Sequence, residues 1–430
     1  MRWLYSLLLY VLTPLILLRL WLRGRKAPAY RKRIAERFGF FDAPVSAGGI
    51  WVHAVSVGES IAAAPMIRAL LARYPQQTIT VTTMTPTGSE RVRVLFADAI
   101  ADGRIFHVYA PYDMPSAVAR FLRRVKPALL IVVETELWPN TIRGCAQRGI
   151  PVLVANARLS QKSARGYARL GGITRPMLRD IAIVAAQNAQ DGERFVALGL
   201  PRERLQITGS VKFDLSIDAT LQARAQQLRD VIGARPVWIA ASTHAGEDEI
   251  VLAAQREILR THPAALLILV PRHPERFNDV AELIAAAGLS MQRRSNGALV
   301  QADTQVLLGD TMGELLMLFG AAAVAFVGGS LIERGGHNTL EPAAWGLPII
   351  TGASDFNFRE ISALLMQAGA LVKCTGSAAI AAEIQRLFDD AAARKTRGQA
   401  ARGVVEGNRG ALNKLLAAID SLCPDAGSLV

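Results

Sequence analysis

Residues 128–140 read ALLIVVETELWPN. Six apolar residues in unbroken succession leave no polar face, which is how a strand reads when both sides of its sheet are covered. The run stops on two carboxylates, Glu134 and Glu136, and a helical pattern follows. The same alternation recurs on either side. Strands are expected over 50–55, 78–83, 105–109, 128–133, 151–155, 181–186 and 205–208, with helical spacing between them, as over 60–74. A polar stretch rich in Arg, Gln and Ala interrupts the pattern at 215–234. It restarts at 237–241, 265–270, 305–308, 323–327, 348–351 and 370–373. Buried strands joined by helices form a parallel sheet wound on both faces. The expectation is therefore an α/β chain of two doubly wound domains, 49–214 and 236–430, joined by a linker at 215–235. Ligands of such sheets bind beyond the carboxyl ends of the strands, and paired domains often hold substrate in a cleft. The polar residues after each strand are the ones to read.

The chain has 430 residues, enough for two buried cores at roughly 150 per domain. Three widely separated cysteines, Cys145, Cys374 and Cys423, exclude a disulfide scaffold and a zinc finger. The formal net charge is +13, but the stretch from Arg19 to Arg37 supplies more than half of it. The remainder reads as mildly basic, which disfavours a nucleic-acid groove.

Residues 3–22 read WLYSLLLYVLTPLILLRLWL, flanked by aromatics and followed by the basic run. Twenty helical residues reach about 30 Å, the thickness of a hydrocarbon core. A membrane-anchor helix at 1–22 and a basic juxtamembrane segment at 23–48 are expected, with the body on the cytoplasmic side by the positive-inside rule. Two other readings compete: a helix lying in the interface, because Pro14 and Arg19 interrupt a clean span, and a cleaved signal peptide. The basic run after the apolar stretch opposes export. On the first two readings the cations form a collar against anionic lipid headgroups.

After the first strand comes HAVSVGES, 53–60. Glu59 there is either an acid complementing a helix dipole or a general base. The dipole lowers its pKa and desolvation raises it. His53 reads as packed within its strand. Residues 82–89, rich in hydroxyls, open a helix whose N–H groups suit a phosphate, and ordinary capping by Thr85 or Thr87 explains them equally. Capping accounts for one of Glu134 and Glu136, not both. Lys212, in GSVKFD, is either an anion partner or a surface lysine. Arg272 follows a strongly apolar strand with a guanidinium fork suited to phosphate. Residues 309–314, GDTMGE, again join strand to helix. Residues 328–341, GGSLIERGGHNTLE, pair glycines that let backbone approach a ligand with Asn338 and Glu341 in capping-box spacing. Glu341 either caps or accepts two ribose hydroxyls. No GxGxxG after the first strand, GxxxxGK[ST], GxSxG or DxD after a strand occurs, which disfavours dinucleotide, P-loop, serine-hydrolase and metal-bridged pyrophosphate sites.

Together with RGRKAPAYRKR, TVTTMTPTGSERV, ETELWPN, ANARLS, LVPRHPERF and FVGGSLIERGGHN, these motifs resemble the bacterial 3-deoxy-D-manno-octulosonic acid (Kdo) transferases over nearly the whole chain. Two departures are a longer stretch at 96–106, expected to be a loop, and Thr339 where Pro is expected. The resemblance implies two Rossmann-like domains facing a cleft, the GT-B glycosyltransferase architecture, with nucleotide on the C-terminal domain. It implies an inverting enzyme that moves Kdo from CMP-Kdo to the tetra-acylated lipid A precursor at the cytoplasmic face of the inner membrane, without metal or other cofactor. The partners implied are that donor, that acceptor and inner-membrane anionic lipids, not nucleic acid. By the same resemblance the catalytic base falls on Glu59 and transition-state stabilisers on Glu134 and Lys212. CMP contacts fall on Pro271, Arg272, Met312, Gly313, Glu314, Asn338, Thr339, Leu340 and Glu341. Rival readings are a UDP-sugar enzyme of the lipid-disaccharide synthase or epimerase type, and a non-catalytic membrane-bound nucleotide-sugar sensor.

Overall fold

A computed structural model describes residues 1–44, 46–297 and 300–423; residues 424–430, the end of the expected C-terminal domain, lie outside it. The chain forms two compact units, 1–212 with 409–430, and 213–408.

Unit 1 holds a parallel sheet of seven strands: β1 (Ile50–His53), β2 (Ile79–Thr83), β3 (Ile105–Tyr109), β4 (Leu129–Val133), β5 (Val152–Ala157), β6 (Ile183–Ala186) and β7 (Leu205–Ile207). Their order is β3-β2-β1-β4-β5-β6-β7. The unbroken apolar run of β4 has a direct cause. Leu129, Ile131 and Val133 enter one core with the helix Val57–Arg73. Leu130 and Val132 enter another with the helices Pro115–Val125 and Pro139–Ala146. Successive side chains point to opposite faces, and both faces are dry.

Unit 2 repeats the plan with β8 (Val237–Thr243), β9 (Leu266–Pro271), β10 (Met291–Arg293), β11 (Val306–Leu308), β12 (Val324–Val327), β13 (Ile349–Thr351) and β14 (Leu371–Lys373), ordered β10-β11-β9-β8-β12-β13-β14. Trp238 and Ala240 of β8 face one core, Val237, Ile239 and Ala241 the other.

The expected strands all appear, shifted by a residue or two at their ends. Four features differ. The stretch 215–235 contains a helix, Ala219–Ile232, capped by Asp218, whose Oδ1 accepts from Leu221 N at 2.8 Å. Only Ala225, Leu228 and Ile232 are buried, a stripe one residue wide that composition hides. The last helix, Ala411–Asp420, belongs to unit 1, where Leu415 and Ile419 join the core and Tyr74 Oη donates to Asp420 Oδ1 at 2.6 Å. The second unit thus ends at Asn408, because a contiguous division of sequence has no sign of the chain crossing back. Strand β10 is an edge strand of three partly exposed residues, too short and polar to announce itself. The longer stretch at 96–106 forms a short helix, Ala97–Ala101, before β3.

The N-terminal helix runs from Arg2 to Lys26 and is long and apolar enough to cross a membrane by length and composition. The segment after it is not wholly a collar. Arg33 pairs with Glu36 at 2.6 Å and donates to Ser89 Oγ at 2.8 Å. Arg37 is buried, donates to Met84 O at 3.0 Å and lies over the Tyr109 ring. Both cations secure unit 1 internally.

Candidate active site

In unit 1 the strand order reverses between β1 and β4, where an open parallel sheet leaves a crevice at its carboxyl end. The chain leaves β1 through Val55 and Ser56 into the helix Val57–Arg73. Ser56 caps that helix by accepting from Glu59 N at 3.3 Å. The Glu59 carboxylate returns the contact, Oε1 accepting from Ser56 Oγ at 2.8 Å and Oε2 from Val55 N at 2.7 Å. This reciprocal pattern resembles a capping box. Burial nevertheless pushes the Glu59 pKa up to about 7 against those bonds, with the charges of Glu136 and Glu134 adding to the rise. Desolvation thus wins the contest that the sequence left open.

Glu134 sits just beyond β4 with φ of 60°, in the left-handed region, its N–H donating to Ala155 O at 2.9 Å. A glutamate there carries backbone strain, and such outliers gather where a side chain must be aimed. Glu136 accepts from Trp138 Nε1 at 3.0 Å and is also raised by burial. Both carboxylates are half-buried and act electrostatically on Glu59. Glu59, Glu134 and Glu136 therefore share one end of the sheet. His53 does not join them chemically: it is buried, bonds Thr82 Oγ1 at 2.9 Å through Nδ1, and burial pushes its pKa down to about 3.

Lys212 lies at the sheet edge. It follows β7 in the turn Val211–Phe213, half-buried. Asn156, at the bulged end of β5 with φ of 54°, accepts from Val211 N at 3.3 Å. That bond ties the lysine's turn to the strand beside β4.

Unit 2 reverses its strand order between β8 and β12. Pro271 closes β9, and Arg272 follows it, exposed, its N–H donating to Thr243 O at 2.9 Å. Asn338 Oδ1 accepts from Leu340 N at 3.1 Å, and its amide donates to Glu341 Oε1 at 3.0 Å. Asn338 thus satisfies one N–H at the helix start, while Glu341 accepts from the Asn338 side-chain amide and not from a backbone N–H, so the capping box is not completed and the amide instead orients the carboxylate. Burial raises the Glu341 pKa, opposed by the Asn338 amide and the nearby Arg272 charge. Thr339 is buried with no partner for its hydroxyl among the described residues. Met312 is exposed and Gly313 has φ of 83°. The Glu314 carboxylate is engaged within the protein. It is held by Arg294 at 3.1 Å, Arg224 at 2.9 Å and Thr311 Oγ1 at 2.7 Å, and these partners depress its pKa, Arg294 first.

Sequence reading passed over the end of β8, THAGED, although it is a strand end like the others. Glu247 there is fully buried. Its carboxylate accepts from the N–H groups of Gly329 at 2.7 Å, Ser330 at 3.0 Å, Leu331 at 2.9 Å and His244 at 3.0 Å. Three successive N–H groups aimed at one point form an anion-binding nest. The glycine-rich turn therefore holds the protein's own carboxylate, not a ligand, at those groups. His244 in turn lies against His337, the rings stacked 5.1 Å apart and joined Nε2 to Nε2 at 2.8 Å, while His337 is pushed down to about 4, chiefly by burial. The loops after β8 and β12 are thereby locked together across the reversal point.

Residues 32–215 match the family described as 3-deoxy-D-manno-octulosonic-acid transferase, and residues 235–404 match glycosyl transferases group 1. The chain is 45% identical to the 3-deoxy-D-manno-octulosonic acid transferase of Haemophilus influenzae, over 96% of this chain and 97% of that one. It is 37% identical to that of Bordetella pertussis, over 97% and 99%. Among solved structures, UDP-GlcNAc 2-epimerase from Neisseria meningitidis superposes with a TM-score of 0.58 at 15% identity, covering 87% of this chain and all of that one. That likeness shows the fold.

Glu247→Ala strands four donors that have no other partner among the described residues. Each buried unsatisfied group costs about 1–3 kcal/mol, so unit 2 is expected to lose on the order of 3 kcal/mol or more. Urea unfolding of the full chain measures it; a loss under about 1 kcal/mol contradicts the anchoring role.

Proposed function

The chain belongs to the family of Kdo transferases, and on that premise we propose that it moves Kdo from CMP-Kdo to the tetra-acylated lipid A precursor, with inversion, at the cytoplasmic face of the inner membrane. It is a glycosyltransferase of GT-B architecture. The observation that best supports the finer reading is the Glu59 carboxylate, rigidly held, poised at about 7 and flanked by two further carboxylates.

In this reading Glu59 takes the proton of the acceptor hydroxyl as that oxygen bonds to the anomeric carbon of Kdo. The carbon's bond to the phosphate oxygen breaks, and its electron pair leaves with CMP. A base is most effective when its pKa lies near the working pH. Positive charge develops on the sugar carbon, and Glu134, aimed by its strained backbone, opposes it. Lys212 complements the carboxylate that Kdo carries. Negative charge grows on the departing phosphate, where Arg272 offers a guanidinium. Glu341, oriented by Asn338, suits the ribose hydroxyls. Pro271, Leu340, Thr339 and the backbone of Met312, Gly313 and Glu314 complete the nucleotide side. The anionic lipids are the surface on which the acceptor is met.

The direct test is incubation of the full chain with CMP-Kdo and the lipid A precursor, reading product masses. Protection against thermal unfolding by UDP and not CMP would favour a UDP-sugar donor instead. Glu59→Gln is expected to keep CMP affinity and lose transfer by about 10²–10⁴-fold; near-normal turnover removes Glu59 from the mechanism. Because the base must be ionised, kcat/KM should rise with pH and reach half its plateau at about 7. Glu136→Gln removes a like charge and should move that acid limb to lower pH. Arg272→Ala should weaken CMP binding about tenfold or more by calorimetry, the scale of one charged hydrogen bond; unchanged affinity refutes the assignment.

A further inference from the structure

The helix Arg2–Lys26 is amphipathic in the reverse of the soluble sense. Its hydroxyl side chains Ser6, Tyr10 and Thr13 face unit 1. Ser6 Oγ and the Asn140 amide are hydrogen-bonded at 3.0 Å. Tyr10 Oη donates to Ser116 Oγ at 2.8 Å, and Thr13 Oγ1 reaches Met114 Sδ at 3.8 Å. Asn140 is itself buried and donates its N–H to Asp113 at 2.9 Å. The opposite face is a stripe of Leu4, Leu8, Val11, Leu15, Leu18 and Leu22, each about half exposed or more, broken towards its C-terminal end by the exposed Arg19, whose long side chain can reach the headgroups. A helix that hides its hydroxyls in protein and shows leucines outward requires an apolar surrounding.

Two observations decide its attitude to that surrounding. First, the N-terminal half of the helix is docked on the body of unit 1, and its C-terminal end is held by the segment that follows it. The 25 residues of the helix reach about 37 Å. Met1 abuts Gly172 at one end, Tyr10 and Thr13 hold the middle, and the Arg31 guanidinium donates to Trp21 O at the other. A spanning helix would carry the loop 113–116 to the bilayer centre, together with the helix Pro115–Val125 that bears Arg120, Arg123 and Arg124. Charges at that depth are costly.

Second, cations flank both ends. Residues 19–32 carry a net +6 and residues 158–179 a net +6, together nearly all of the chain's +13. The second group contains no acid and was hidden in the sequence as a mild background. Lys162, Arg165, Arg169, Arg175 and Arg179 in it are exposed on the helices Gln161–Arg169 and Gly171–Arg179, with Leu170 exposed between them. Gly172, the neighbour of Met1, belongs to the same pair. A spanning helix would set these two positive groups on opposite sides of the membrane, contrary to the one-sided distribution that topology follows.

We propose that the helix Arg2–Lys26 lies flat in one leaflet of an anionic bilayer, leucine stripe inward, with residues 162–179 at one end and residues 19–32 at the other touching the headgroups. Unit 1 rides on the bilayer as a single surface. This inference does not depend on the transfer reaction.

Two measurements on the full chain test it. Cys145, Cys374 and Cys423 are buried, so single Arg2→Cys and Lys32→Cys variants report their own exposure to a membrane-impermeant maleimide. In sealed inner-membrane vesicles of either orientation, both positions should label from the same side. Labelling from opposite sides establishes a span and overturns the proposal. Partition of the purified chain into phosphatidylcholine vesicles should rise with added phosphatidylglycerol. The triple change Lys162→Gln, Arg165→Gln, Arg169→Gln should weaken it by about a hundredfold at low salt, from roughly 1 kcal/mol per cation. Partition that ignores both phosphatidylglycerol and the triple change overturns the headgroup contact. A stable dimer in solution that binds no vesicles assigns the stripe to a second copy instead.

Discussion

The burial of both faces of each parallel sheet governs the rest of the molecule. When Leu129 to Val133 surrender alternate side chains to two dry cores, no position along the strand is left for chemistry. Polar groups are pushed to the carboxyl ends, and the reversal of strand order selects which ends stand apart. Glu59 and Glu134 follow the two strands at the reversal in unit 1; Glu247 and the turn 328–331 follow the two at the reversal in unit 2. The placement of carboxylates is a consequence of topology before it is a matter of catalysis.

The two units then treat carboxylates in opposite ways. In unit 1, Glu59 receives two hydrogen bonds and is still raised, because burial and two neighbouring carboxylates outweigh them. In unit 2, Glu247 and Glu314 are each surrounded by donors, backbone N–H groups for one and arginines for the other. The first arrangement keeps a carboxyl group titrating near neutrality; the second holds loops in place. Residue type alone does not separate them, because the difference lies in what the donors are and how far water is removed.

That difference also marks what could be read from the sequence. Strands, winding and the residues at strand ends were legible, since alternation and apolar runs are local signals. Glu59 was legible as a first-turn acid and Glu341 as a capper, each also as a candidate site residue; in the structure Glu59 accepts from Val55 N and Ser56 Oγ, while Glu341 is held by the Asn338 amide instead of capping. The helix Ala219–Ile232 was not, because a three-residue stripe in a polar segment looks like linker. The return of Ala411–Asp420 to unit 1 was not, because an amphipathic helix fits either core. Glu247 was missed because three of its four partners lie more than eighty residues away, at Gly329 to Leu331. A glycine pair that seemed to invite a ligand had already been given an internal one.

The charge distribution carries the same lesson one level up. A net charge of +13 spread evenly would describe a solubility property. Here it resolves into two groups, far apart in sequence, which the docking of one helix sets at that helix's two ends. Summed charge discards this, and a window slid along the chain sees only one group at a time. The inverted polarity of the helix gives the two groups a common meaning. Hydroxyls turned toward Asn140 and Ser116 fix the helix to the protein, and that fixation converts an apolar stripe and two distant cation groups into one face.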